Sequence, residues 1–416
     1  MKKILILSTV TAATLFATNG ANLIGLGVES RALGGTGIAM YHGSENAMTN
    51  PALLGKTKSM KKELTIAATY FKADVSAKTT GGMQHQATND NSDVGSSIIP
   101  YISHSHRISN TLTMGFGLYG TGGMGVDYSD NANLYNMKSE LQILQLAPSI
   151  AYNKDNYGLG LTAIIQYGRL SIDYVNANGH IGDNKMSSDT GFGIAIGGYY
   201  DFTNEFSLAA TYKSAIDMKY GKEISTASEQ FGYGRGPNAL EAKSDHLEQP
   251  SEIGVGFAFN SGQFTYSADY KIIKWGEAKG YKDFGWEDQK VLALGAKYTI
   301  SKYWFGLGFN KSNNPIPNNE DPTNVWSGTN TAPSPQQGNT NGDTMNMFNY
   351  ILFPGTITKA YTFGSGYSLD KDSSIAFAYM YAPEVSDTVN ASSVDVGKIT
   401  TKHTQNALTI AYKFNF

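Results

Sequence analysis

Few side chains in this 416-residue chain stand where chemistry would need them. His104 and His106 are two apart in a strand-like run, so both rings leave one face, as two ligands of a metal would. No third histidine or carboxylate lies nearby in sequence, and lumen-facing polar side chains are the favoured reading of the pair. The Asp and Asn run from Asn89 to Asp93 could hold calcium, but it lacks the EF-hand spacing and reads better as a solvated loop. Gly34, Gly35 and Gly37 look like a phosphate-cradling loop, yet no hydrophobic strand precedes them and no Gly-Lys-Ser/Thr follows. A hydrolase would need a nucleophile, a base and an orienting group, and the chain has neither a Gly-x-Ser-x-Gly nor a cysteine. The expectation is no catalytic residue, no metal and no cofactor. A net charge of −3 without a basic stripe leaves no surface for nucleic acid.

The elements explain this poverty. Lys2 and Lys3 precede an uncharged apolar run from Ile4 to Phe16, and small residues follow at Ala17, Thr18 and Gly20. That is the pattern of a Sec-type signal peptide over residues 1–20, cut between Ala17 and Ala21, and the run is too short to span a bilayer as a helix. No second run of that length occurs, which leaves soluble export or a β-barrel. Glycine (46), tyrosine (26) and phenylalanine (19) are abundant, as strands and membrane interfaces favour.

The last strand is the plainest. Leu408, Ile410, Tyr412, Phe414 and Phe416 alternate with Ala407, Thr409, Ala411, Lys413 and Asn415, giving one apolar face that ends on an aromatic carboxy terminus. A terminal aromatic of this kind resembles the signal by which the barrel-assembly machinery recognises outer-membrane strands, so that machinery is an expected partner through Phe416. The same period of two marks Ile253 to Phe259 and Phe264 to Tyr270, each close to the roughly 9 to 11 residues of a tilted membrane strand. Tight polar breaks near Ser109-Asn110, Asn153 to Asn156, Asp201 to Asn204, Asn260 to Gly262, Ser301-Lys302 and Asp370 to Asp372 alternate with long polar stretches. The long ones run over 76–97, 120–139, 173–189, 217–249, 274–288, 311–352 and 384–402. Seven long loops and six short turns predict an all-β fold, a 14-stranded antiparallel transmembrane β-barrel with both ends on one side. A soluble β-sandwich is the alternative.

The barrel then occupies residues 61–416, and a segment over residues 21–60 precedes it. That segment resembles the N-terminal hatch of the FadL/TodX family, outer-membrane channels for long-chain fatty acids and other hydrophobic compounds. The resemblance rests on Asn22-Leu23-Ile24-Gly25, on the run from Ser30 through Gly34, Gly35 and Gly37 to Ala39, and on the family's Asn-Pro-Ala motif at Asn50, Pro51 and Ala52. It continues in Gln249-Pro250 leading into Ile253 to Gly256, in Asp269-Tyr270 with Trp275 six residues on, and in Thr362 to Tyr367. Pro51 fixes its own backbone and biases Asn50 away from helix, which suits a compact plug as it would suit an ordinary turn.

Several runs, such as Val291 to Ala296, Gly193 to Ile196 and Ile375 to Met380, are apolar on both faces. A lumen lined in part by them favours a hydrophobic ligand over the water of a general diffusion porin, unless they pack against the plug. Glycine density at Gly115, Gly117, Gly120, Gly122 and Gly123 invites a bend in the third strand or marks a loop base. In the family, a kink there makes a lateral opening in the barrel wall. By resemblance, Leu23, Ile24, Phe116 and Leu118 are expected to touch the ligand. Arg169 and Lys213 lie within predicted strands, where a solvated or interfacial charge is favoured over a headgroup partner, and Trp275 reads as part of an interfacial girdle. The expected protein is a monomer of a Gram-negative outer membrane, in contact with its lipid and lipopolysaccharide, that takes up fatty acids or hydrocarbon-like molecules through hatch movement. A diffusion porin and an outer-membrane lipid-acting enzyme are the rivals.

Overall fold

A computed structural model describes residues 18–57, 60–176, 179–182, 185–229, 233, 242–319 and 340–416. Fourteen barrel strands follow in order: β1 (Glu63–Thr79), β2 (Ser96–Arg107), β3 (Leu112–Asp127), β4 (Lys138–Leu146 and Ser149–Lys154), β5 (Tyr157–Asn176), β6 (Ser187–Asp201) and β7 (Phe206–Lys213); then β8 (Glu252–Ser261), β9 (Phe264–Ile273), β10 (Gln289–Ile300), β11 (Tyr303–Ser312), β12 (Lys359–Ser368), β13 (Ser373–Ala391) and β14 (Gly397–Asn415). Each pairs antiparallel with its neighbours. The barrel closes where β14 meets β1, from Asn415 opposite Glu63 to Ile399 opposite Thr79. Closure joins the first and last strands and pairs wall backbone around the ring, as hydrocarbon requires, with one local break between β2 and β3.

Burial alternates along each strand. On β14 the side chains of Leu408, Ile410, Tyr412 and Phe414 face outward and those of Ala407, Thr409 and Ala411 inward. At the short-turn end, outward rings gather into a belt: Phe264 and Tyr298 lie 4.8 Å apart, Tyr303 and Tyr367 4.8 Å, Phe414 and Phe416 5.7 Å. By the rule that outer-membrane barrels keep short turns at the periplasm, this end is periplasmic.

Several loop expectations give way to strand. β3 continues to Asp127, β5 to Asn176, β13 to Ala391, and β14 already starts at Gly397, so much of 120–139, 173–189 and 384–402 is paired backbone. Glycine in β3 and polar outer side chains such as Thr388, Lys398 and Lys402 hid these extensions, although Val126, Tyr174, Val389 and Ile399 are buried inward, because strand beyond the bilayer needs no apolar outer face.

Residues 18–57 fill the lumen: two short strands (Thr18–Asn19 and Asn22–Leu23), α1 (Val28–Ala32), α2 (Asn46–Thr49) and two 3-10 turns (Gly43–Glu45 and Pro51–Lys56). The signal-peptide expectation falls largely on residues 1–17, outside the described residues. From the long-loop side, α3 (Glu223–Glu229) covers the mouth, and α4 (Thr340–Met347) runs into a π-turn (Phe348–Leu352) buried inside it. No helix among the described residues is long and apolar enough to cross a membrane, which says nothing of strands.

Candidate functional site: the plugged lumen and the break in its wall

The hatch is held by backbone contacts that only particular wall residues allow. Asn50 is extended and its Oδ1 accepts from Ala52 N at 3.1 Å, closing the turn around Pro51. Its Nδ2 donates to Ile38 O at 2.7 Å and to Gly198 O of β6 at 3.4 Å. A Cβ at Gly160 or Gly197 would collide with Ala52 or Asn50, so glycine in β5 and β6 makes the seat for Asn50, Pro51 and Ala52. Gly295, Gly306 and Gly308 do the same for Leu33 and Gly34, where Gly34 takes φ 72° and its carbonyl accepts from Asn310 Nδ2 at 2.9 Å. The glycine richness of the strands is thus partly the imprint of the plug. Asp269 of β9 accepts from Gly37 N at 2.7 Å and Ile38 N at 2.9 Å, while Tyr270 faces outward.

Buried charges lock the periplasmic side. Glu45 accepts from Val28 N at 3.2 Å, Glu29 N at 3.3 Å and Tyr101 Oη at 2.6 Å, which caps α1. Glu29 meets Lys297 Nζ at 2.5 Å, Lys413 Nζ at 3.6 Å and His42 Nδ1 at 3.7 Å. Arg31 donates to Thr69 Oγ1 at 2.5 Å, to Thr409 Oγ1, to Gly25 O at 3.0 Å and to Ile24 O at 3.4 Å. Burial works to raise the Glu29 carboxyl, but Lys297, Lys413 and His42 outweigh it and hold it well below the usual range. Burial pushes the Arg31 guanidinium down to about 10 and the Glu45 carboxyl up.

Above the lock lies a cavity of about 100 Å³. Leu23, Leu26, Ile38, Met48, Ala195, Val291 and Ala293 give it apolar walls, and Lys213, Lys271, Glu252 and Asp269 a charged rim. Glu252 sits 3.9 Å from Lys213 Nζ, 3.4 Å from Lys271 Nζ and 3.2 Å from Asn22 Nδ2. Lys213 is therefore a lumen residue, not the interfacial charge the sequence favoured; its phase on β7 decides this. Arg169 follows the outward phase of β5.

The wall is broken beside this cavity. β2 and β3 pair only from Arg107 opposite Thr113 to Tyr101 opposite Tyr119. Beyond, Ser96 to Pro100 remain paired to β1 alone, while β3 bends inward, shifts register between Gly120 and Gly122, and meets the hatch. There Gly123 N donates to Ala21 O at 2.9 Å and Asn22 lies opposite Gly122. Asp93 N donates to Asp127 O at 2.8 Å and closes the far end of the gap. The Ile99 side chain fills it: its Cγ2 lies 2.5 Å from where a Cβ on Gly120 would be. Thr121, at the register shift, also lines the cavity. Pro100, missed in the sequence, is a legible signal for this local edge, since proline is confined to unpaired strand positions.

The structure brings together only part of the expected set. Leu23 lines the cavity; Ile24 packs into the core. Phe116 and Leu118 share the outward phase of Met114, so they face the bilayer side of β3 and not the lumen. Gly115 and Gly117 lie in the paired part of β3, whereas Gly120, Gly122 and Gly123 lie at the break. His104 and His106 also point outward, in phase with Ile102, and His104 lies 6.3 Å from the Phe416 ring; the lumen instead receives Ser103 and Ser105. Trp275 belongs to no lipid-facing girdle. It is fully buried in the long-loop mouth, with Tyr281 at 4.5 Å and Trp286 at 5.2 Å. Of the runs apolar on both faces, Ala195, Val291 and Ala293 line the cavity, while Ala376 and Ala378 pack against the hatch. A wider concavity of about 820 Å³, near Leu159, Tyr200 and Phe257, lies on the outer wall and faces lipid. No group of three metal-ligating side chains occurs among the described residues.

Comparison with known proteins agrees with this architecture. A long-chain fatty acid transport protein of Escherichia coli O6:H1 is 24% identical over 366 residues, 75% of this chain and 80% of that protein. The crystal structure of the Pseudomonas putida toluene transporter TodX superposes with a TM-score of 0.68 at 16% identity, covering 94% of this chain and 99% of that one. A Pseudomonas aeruginosa FadL homologue gives 0.66 at 14%, covering 95% and 99%. The family model described as outer membrane protein transport protein (OMPP1/FadL/TodX) matches residues 4–325, and with its 14-stranded barrel the chain belongs to that family.

Proposed function

We propose that the protein is a passive outer-membrane channel for amphipathic hydrophobic molecules, long-chain fatty acids first among them. One observation carries this: the lumen cavity, apolar on its walls and charged at its rim, reaches the break between β2 and β3 at Thr121. A water-filled porin would leave its lumen open and polar. An apolar chain that leaves water gains about 0.8 kcal/mol for each buried methylene, and a carboxylate head can draw Lys213 and Lys271 away from Glu252. The cavity is too small for a whole fatty acid, so entry requires the hatch to shift. Release is sideways, past Ile99 and Gly120 into the outer leaflet. The mechanism has no chemical step.

In this reading residues 1–20 are a signal peptide, 21–60 the hatch and 61–416 the barrel. The protein works as a monomer in a Gram-negative outer membrane among phospholipid and lipopolysaccharide, and its assembly machinery recognises the strand ending at Phe416. The relative named for long-chain fatty acids and the charged rim both favour a carboxylate over a plain hydrocarbon such as toluene.

The test is growth on oleate of a strain lacking its own fatty-acid channel, alongside conductance in planar bilayers. Restored growth with near-background conductance is expected, and Lys213→Met with Lys271→Met should abolish the growth. Porin-like conductance without growth would overturn the proposal.

A further inference from the structure

The chain carries a second plug, at the opposite end from the hatch. Residues 342–352 are buried throughout, and so are Pro354, Gly355, Thr356 and Ile357, although they belong to the long connection between β11 and β12. Their polar partners are inward-facing wall side chains. Thr401 Oγ1 of β14 donates to Tyr350 O at 2.7 Å, Ser139 Oγ of β4 to Leu352 O at 2.5 Å, and His403 Nδ1 of β14 faces Pro354 O at 2.8 Å. A loop held from two separate parts of the wall hangs inside the lumen.

Its apolar side chains fill the space an entering ligand would cross. Phe348 and Phe353 border a remnant cavity of about 20 Å³ with Trp286, Tyr281 and Ile172. Trp286 Nε1 donates to Asn349 Oδ1 at 3.0 Å, and Asn349 Nδ2 donates to Phe284 O at 2.8 Å, so one loop residue ties the plug to the aromatic mouth. The backbone is a π-turn, a rare form that is frequent at functional sites. It shares one buried apolar cluster with the hatch, in which Phe348, Ile351 and Leu352 join Ala21, Leu23 and Ile24, and the Cβ position of Gly355 lies 2.7 Å from Trp286 Cη2.

We infer that segment 340–357 is an extracellular lid that must lift to admit a hydrophobic ligand, and that the apolar core it shares with Leu23 and Ile24 couples lifting to the hatch. The structure is then an occluded state, closed above by the lid, below by the hatch and at the side by Ile99. The inference rests on the proposed uptake function for its ligand, but the lid's opening can be read without transport.

The chain has no cysteine, so an introduced pair is unambiguous. Ser393 Oγ donates to Asp343 Oδ2 at 2.7 Å across the lid and the tip between β13 and β14. In Asp343→Cys with Ser393→Cys, oxidation should cut uptake of a fluorescent long-chain fatty acid at least tenfold, and dithiothreitol should restore it. A cross-linked protein that transports at the reduced rate overturns the lid. Parent protein that takes up no fatty acid faults the proposed function instead. The lid is then judged on Thr401→Cys, buried beneath it, and its labelling by a methanethiosulfonate reagent from outside. Labelling that proceeds, and accelerates with oleate, supports opening; a thiol that stays unlabelled with and without oleate refutes it.

Discussion

Glu29→Gln is the sharpest test of the periplasmic lock. In the parent, Glu29 answers Lys297 at 2.5 Å and Lys413 at 3.6 Å, with those three side chains 13%, 17% and 20% exposed. Removing one partner of a fully buried pair costs about 3–5 kcal/mol, and of an exposed pair about 0–1. Partial screening places this site near the lower end of the buried range, about 3 kcal/mol, or roughly two orders of magnitude in the undocked population of the hatch. The assay is ion conductance of the purified barrel in planar bilayers, read as the fraction of time a leak is open. Adding Lys297→Met should recover much of the seal, because it removes the stranded charge. The sign with pH follows from the depressed Glu29 carboxyl: its contribution is complete above the ordinary value of 4.5 and is lost only as pH falls through the lower docked value. Glu45, raised by burial, acts in the opposite sense, contributing below 4.5 and losing that as pH rises through its docked value. The parent leak should therefore not increase between pH 7 and 4.5, and should rise only below. A Glu29→Gln leak equal to the parent's at pH 7, or a parent that loosens already near pH 6, would refute the argument.

Gly120→Val should slow lateral release about tenfold, equivalent to about 1.4 kcal/mol on the exit barrier, because its Cβ would press on Ile99; fatty-acid uptake rates at unchanged barrel folding check this. Asn50→Ala removes the cap on Ala52 and leaves Ile38 O buried without a donor, a cost of about 2–3 kcal/mol that should appear as faster proteolysis of the hatch. Phe416→Ala leaves the backbone pairing of Phe416 with Lys62 intact, so barrel refolded in detergent should lose less than about 1 kcal/mol while assembled protein in the outer membrane drops sharply. Equal loss in both settings would argue against recognition of the terminal ring.

Period-two alternation, hairpin chemistry and loop lengths are properties of short stretches, so the strand number could be read without coordinates. The Asn-Pro-Ala turn was legible for the same reason, since Asn50 caps Ala52 two residues on. The glycine-dense third strand announced a bend, and the bend is there, at Gly120 to Gly123. Which face a residue presents was harder. His104, His106, Phe116 and Leu118 all lie outward: the Ser-His alternation of β2 sets no phase, and a one-residue error reverses every side chain of a strand, whereas Leu112, Met114, Phe116 and Leu118 alternate with Thr113, Gly115 and Gly117, an apolar outer face that was legible.

Local patterns were enough for the architecture: strands, turns and a plug before the barrel. The site arises from contacts made on barrel closure. Lys213, Lys271 and Glu252 come from three strands and acquire meaning as a rim only because closure of the barrel points them into one cavity. Trp275 became a mouth residue, and residues 340–357 an inner lid, because a closed barrel has a dry interior that polar-looking loops can enter once wall side chains such as Thr401 and Ser139 satisfy their carbonyls. Such partners lie far apart in sequence, and no local pattern records them.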